Sequence, residues 1–127
     1  MNPAAEIQKP FVNSAEAVFA RILDYYGIRW EYEPRTFALA WDPDGRVCEA
    51  FTPDFYLPDQ NLYIELTTLK PSLSTHKNRK IRRIRELYPQ INIKLYKRRE
   101  LHSLMVKFGL EEEAGAISSN GRQESAE

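Results

Sequence analysis

Residues 52–67 constrain the fold more tightly than any other part of the chain. Thr52-Pro53-Asp54-Phe55-Tyr56-Leu57 and Leu62-Tyr63-Ile64-Glu65-Leu66-Thr67 are two β-prone runs separated only by Pro58-Asp59-Gln60-Asn61. A turn of that length and composition reverses the chain, so the two runs become antiparallel neighbours. Pairing across it brings Asp54, near the start of one strand, to the same sheet face as Glu65, near the end of the other. Two carboxylates so placed outline a site for a hard divalent cation, which takes oxygen ligands and keeps several waters.

The flanking sequence supplies the elements around this hairpin. Asn13 or Ser14 reads as a helix N-cap, and Glu16, three residues after Asn13, completes a capping box. The helix is expected to run to about Tyr26, burying Val18, Phe19, Ile22, Tyr25 and Tyr26, before Gly27 stops it. Residues 29–33, 37–41 and 46–51 alternate as strands of a meander or hairpin, the last two joined by Asp42-Pro43-Asp44-Gly45. A second helix, 74–88, carries Ile81, Ile84 and Tyr88 on one line, with Arg79, Arg82, Arg83 and Arg85 largely off it, and Pro89 ends it. Residues 91–96 alternate as a strand, and 99–108 suggest a last helix with Leu101, Leu104, Met105 and Phe108 inward.

A helix between two strands favours a parallel crossover. The expected fold class is therefore α/β (α+β), with a central mixed sheet flanked by helices in the order α-β-β-β-α-β plus a C-terminal helix. At 127 residues and 43% hydrophobic content the chain supports one core, hence a single domain. That domain is expected over 13–110, after an N-terminal extension (1–12). The Glu-, Ser- and Gly-rich segment 111–127 is expected to be a disordered acidic tail.

The zero net charge conceals an asymmetry. Residues 1–69 hold 5 basic and 11 acidic side chains, 70–100 hold 11 and 2, and 101–127 hold 2 and 5. A basic block beside an acidic one suits a site that attracts a polyanion and holds a cation, although a solvated helix face accounts for the same charges. The lone Cys48 can form neither an internal disulfide nor a multi-cysteine zinc site, and it is expected to be a small buried residue. His76 and His102 have no partner at ligand spacing. Trp30, Tyr32 and Trp41, with Tyr25 and Tyr26, could stack on unpaired bases, but their spacing favours core packing. With no secretory signal and no apolar run of about 18 residues, the expected compartment is the cytoplasm, with no membrane partner.

Pro53-Asp54, then Glu65-x-Thr67 near a strand end, then a basic helix and another strand, resemble the PD-(D/E)XK nuclease superfamily over residues 13–96. The resemblance implies a restriction-endonuclease-like fold and a metal-dependent nuclease that hydrolyses phosphodiester bonds in DNA with Mg²⁺ or Mn²⁺. It implies Asp54 and Glu65 as catalytic metal ligands, joined by the carbonyl of Leu66 and by Glu16 from the first helix. A chain this small often dimerises in order to cut both strands, so a homodimer is among the expectations.

The sequence departs from the superfamily at Thr67, which stands where a lysine is usual and cannot lend positive charge to a developing phosphorane. Members move that lysine to other elements. Lys77, one turn before Ile81 on the core-facing line, is the preferred replacement; Lys70, at an odd offset from Thr67, is the second and Lys80 the third. Lys77, Arg79, Lys80 and Arg83 are the expected nucleic-acid contacts, because such cations meet phosphate oxygens and release counterions. The segment Glu65-Leu66-Thr67-Thr68-Leu69-Lys70, with Lys77-Asn78-Arg79-Lys80, also resembles a small bacterial subgroup found beside or fused to hypoxanthine phosphoribosyltransferases. The phosphoribosyltransferase signature itself, an acidic pair running into a Thr-Gly loop, is absent from this chain. Two alternatives therefore stay open: an inactive nuclease-fold module that binds nucleic acid or regulates, and an accessory domain of a partner enzyme such as a phosphoribosyltransferase. Capping alone would account for Glu16, and pairing with a nearby arginine would account for Glu65.

Overall fold

The computed structural model describes residues 14–68 and 74–107. Asn13, Lys70, Phe108 and the expected tail fall outside the described residues, as does the side chain of Met105. Helix α1, Ser14–Tyr25, buries Ala15, Val18, Phe19, Ile22 and Leu23, the spacing of one helical face. Gly27 then takes φ +67°; its N–H donates to the Asp24 carbonyl at 3.0 Å and the Ile28 N–H donates to the Leu23 carbonyl at 2.9 Å. This is the left-handed glycine cap that satisfies the last carbonyls of a helix. The expected burial of Tyr25 and Tyr26 is not found: they are 78% and 58% exposed. The helix ends at Tyr25 and the chain turns through the cap, so both rings lie past the covered face and stack edge-on against each other.

Six strands follow: β1 (Glu31–Tyr32), β2 (Phe37–Trp41), β3 (Val47–Phe51), β4 (Phe55–Leu57), β5 (Leu62–Leu66) and β6 (Ile93–Tyr96). Helix α2 (Thr75–Leu87) connects β5 to β6, and α3 (Arg98–Lys107) follows β6. The result is a small single-domain α+β fold with a mixed sheet and, among the described residues, three helices. The main sheet runs β1-β4-β5-β6, antiparallel except for the parallel β5/β6 pair that the helical crossover requires.

The strands do not all join one sheet, which corrects the expected arrangement. β2 and β3 form a separate two-stranded sheet, and β1 pairs across that excursion with β4 as Tyr32↔Phe55. The Glu33 N–H still donates to the Asp54 carbonyl at 2.9 Å. Glu33 itself takes φ +47°, which is not extended backbone, and Pro34 after it has no N–H to give, so the ladder stops and the β2–β3 hairpin leaves the sheet.

Both faces of β5 are covered. Ile64 and Leu66 join the core formed with α1 and α3, which includes Phe19, Phe55, Leu57 and Leu101; Tyr63 joins the core formed with α2 and the hairpin, which includes Phe37, Leu39, Ile81 and Ile84. By strand alternation Glu65 lies on the same side as Tyr63, toward α2. On the hairpin, Cys48 is exposed rather than buried, because a two-stranded sheet has only one face laid against the rest of the molecule and β3 is its outer strand. In α3 Leu101 is fully buried and Leu104 half-buried, as their spacing predicts. No helix among the described residues is long and apolar enough to cross a membrane.

Candidate functional site

The site is built on the register of one antiparallel pair. β4 and β5 pair as Phe55↔Ile64, Tyr56↔Tyr63 and Leu57↔Leu62, and the next step of that register sets Asp54 opposite Glu65. Both carboxylates are buried, at 6% and 4% exposure. Each is held by the backbone of the other strand: the Asp54 N–H donates to Glu65 Oε1 at 3.1 Å, and the Leu66 N–H donates to Asp54 Oδ2 at 2.8 Å. The turn at residues 58–61 thus places the two acids together on one face.

Lys77 reaches the same point from α2. Its Nζ lies 2.9 Å from Glu65 Oε2 and donates to the Leu66 carbonyl at 2.7 Å. The helix turn before Ile81 puts it on the core-facing line, so its ammonium overhangs the end of β5. Thr67 is buried, with its N–H donating to the Tyr96 carbonyl at 3.0 Å. Lys80 goes elsewhere: its ammonium lies 5.7 Å from the centre of the Phe51 ring on the hairpin.

Glu16 is the third buried acid, at 4% exposure, and Oε1 accepts a 2.6 Å hydrogen bond from the buried Tyr32 hydroxyl. Its charge acts on Asp54, yet among the described residues no three His, Cys, Asp or Glu side chains are grouped as a set able to hold a metal ion. Glu16 is therefore a neighbour of the Asp54–Glu65 pair and not a member of a common ligand cluster. Burial, then the charge of Glu65, pushes the Asp54 carboxyl up to about 8, against the pull of the Leu66 N–H and Lys77. Burial also raises Glu65, with Lys77 opposing it.

The basic residues of α2 are largely occupied in holding the fold. The Arg79 guanidinium pairs with Glu49 on β3. Arg83 Nε donates to the Leu39 carbonyl at 3.1 Å, and Arg85 donates to the Ile93 carbonyl at 2.9 Å. Of the four cations expected to contact nucleic acid, the structure brings only Lys77 to the carboxylates; Arg79, Lys80 and Arg83 tie α2 to the hairpin.

Tyr32, through Glu16, bears on the site without having been singled out for it by the sequence. Tyr32 reads there as a core aromatic, and nothing local discloses that its hydroxyl meets α1. At the start of α3, Arg98 has a buried NH1 atom with no hydrogen-bond partner. No family model, no curated protein and no solved structure matches the chain.

Proposed function

We propose that this chain is a restriction-endonuclease-like, divalent-cation-dependent nuclease that hydrolyses phosphodiester bonds in DNA. The observation that carries this reading is the buried, cross-bonded pair of Asp54 and Glu65, with the Leu66 carbonyl and the Lys77 ammonium at the same strand end. The donors are all oxygens, the chemistry that hard cations select. Burial first, and then the Glu65 charge, push the Asp54 carboxyl up to about 8, so an ion bound there would displace a proton. Asp54, Glu65 and the Leu66 carbonyl would hold Mg²⁺ or Mn²⁺. When bound, such an ion supplies Lewis-acid polarisation of a phosphoryl oxygen. The protein's own part is positioning and charge. The two backbone N–H groups fix the carboxylates, and Lys77 supplies the cationic group that Thr67 lacks. Tyr32 holds Glu16 beside them. The proposed setting is the cytoplasm, with DNA as partner and a homodimer as the form that cuts both strands.

The test is a cleavage assay on linear, circular and single-stranded DNA with Mg²⁺ or Mn²⁺ added and then chelated. Cleavage that needs the ion and disappears in D54A/E65A supports the assignment; cleavage that survives both treatments removes it.

One observation favours a second reading. Lys77 already engages Glu65 Oε2 and the Leu66 carbonyl, two of the atoms that an ion would need. In that reading the ammonium stands in for the ion, and the chain is an inactive nuclease-fold module that binds nucleic acid. DNA binding with no cutting under either metal distinguishes it.

A further inference from the structure

The oxygens proposed to hold an ion already have a cation against them. The Lys77 Nζ lies 2.9 Å from Glu65 Oε2 and donates to the Leu66 carbonyl at 2.7 Å. A divalent ion on those two oxygens excludes the ammonium from them, because like charges so close together repel strongly in a buried site. We propose that Lys77 is an exchangeable occupant of this position: its ammonium holds the Glu65 and Leu66 oxygens until a divalent ion takes them, and then turns out to solvent. The inference rests on the metal-dependent nuclease reading and adds to it a built-in competitor that sets how readily the site loads.

Three observations favour exchange over a fixed ion pair. The first is unequal burial, since Glu65 is enclosed and Lys77 only half-buried. The carboxylate cannot follow the ammonium, whereas the ammonium can reach water by rotating its flexible four-carbon stem. The second is that the carboxylates are held without Lys77. The Asp54 N–H donates to Glu65 Oε1 and the Leu66 N–H to Asp54 Oδ2, so β4 and β5 fix both acids whichever cation is present.

The third is that α2 offers the ammonium nothing of its own. Lys77 stands in the first turn of that helix, which contains no acidic residue and where the helix dipole disfavours positive charge. Both partners of Nζ, Glu65 and Leu66, belong to β5. An ion that takes their oxygens therefore removes what keeps Lys77 in place. The freed ammonium is then the cationic group available to a phosphate oxygen.

The experiment measures Mn²⁺ binding to the full chain by calorimetry, at fixed pH and salt and without nucleic acid. K77M keeps an apolar stem and removes the charge. It binds Mn²⁺ about tenfold or more tightly than the wild type, which is competent to bind only in the fraction of molecules whose ammonium is turned away. An equal or weaker affinity in K77M, the result of a lysine that merely orders the site, overturns the proposal and leaves the nuclease reading standing. Binding by K77M with none by the wild type overturns exchange and favours the inactive module. No binding by either protein, or undiminished binding in D54A/E65A, overturns the proposal together with the nuclease reading. If K77M does not fold, lysine ¹⁵N NMR of the wild type decides. The Lys77 ammonium, shielded from exchange with water while it is bonded, loses that protection at saturating Mg²⁺; protection that persists overturns the proposal.

Discussion

Lys77 and Glu65 are joined from helix to strand by a 2.9 Å ion pair whose two halves are unequally buried, the side chain of Glu65 at 5% exposure and that of Lys77 at 31%. The carboxylate is committed to the interior, and the ammonium is the half that still reaches water. Removing the ammonium leaves two buried acids held, among the described residues, by backbone N–H groups and by each other. K77A is therefore expected to lose about 1 to 3 kcal/mol of stability, less than a fully buried pair would because Lys77 is partly solvated. Urea unfolding at pH 5 and pH 8 checks this, and the loss should be larger at pH 8, where more of the carboxylate charge is present.

The pH dependence of the metal-free protein follows from Asp54. Its carboxyl binds a proton up to about pH 8 in the folded chain and only up to about 3.9 when unfolded. Between those values the folded state holds the extra proton, so stability is fully present below the lower value and is lost as pH rises through the upper one. Denaturation midpoints should fall from pH 5 to pH 8.5, and D54N should flatten the decline. A midpoint that rises across this window would contradict the assignment.

Adding Mg²⁺ or Mn²⁺ should reverse that decline. An ion that binds only the folded state at a hundredfold excess over its Kd contributes about 2.7 kcal/mol, roughly 10 °C in Tm for a domain of this size. The shift should be greater at pH 8 than at pH 6, because below about 8 the proton on Asp54 competes with the ion. Thermal scans of the wild type and D54A/E65A decide the matter; an equal shift in both would place the ion elsewhere.

Tyr32 and Glu16 form a buried pair at 2.6 Å. Y32F should cost about 1 to 3 kcal/mol, the range for a hydrogen bond to an acidic group. In an E16Q background the same change should cost less, and the difference measured in a double-mutant cycle is the coupling between them. Additive losses would mean that the hydroxyl acts on something other than Glu16.

Burial separates the apolar substitutions. I84A removes a side chain with no exposure at the centre of the α2 face and should cost about 2 to 5 kcal/mol. It should also loosen Lys77, which lies on the same line of the helix. Y25A, at a ring that is 78% exposed, should stay within about 0.5 kcal/mol of the wild type. Chemical denaturation of the two variants side by side tests the contrast.

The meeting of Asp54 with Glu65 was legible in the sequence because it depends on short-range terms. Two β-prone runs and a four-residue turn at Pro58-Asp59-Gln60-Asn61 set a register, and the register sets the shared face. Lys77 was legible for a similar reason, since helical periodicity fixes its line relative to Ile81 and Ile84.

Other features depend on which element covers which. Pattern alone assigns Tyr25, Tyr26, Trp41 and Cys48 to the interior, and the structure leaves them exposed: periodicity names a face but not whether anything lies over it. The engagement of Arg79 and Arg83 with the hairpin required knowing that β2 and β3 leave the main sheet and lie along α2. The sequence by itself determined the elements, their register across the tight turn and the line of the helix that bears the ammonium, because those follow from interactions between residues close along the chain. Only the tertiary structure decided that Tyr32 meets Glu16, that three basic side chains of α2 serve the hairpin and that Arg98 has an unmet donor. Such contacts join residues distant in the chain, and they exist only after separate surfaces have been packed together and cleared of water.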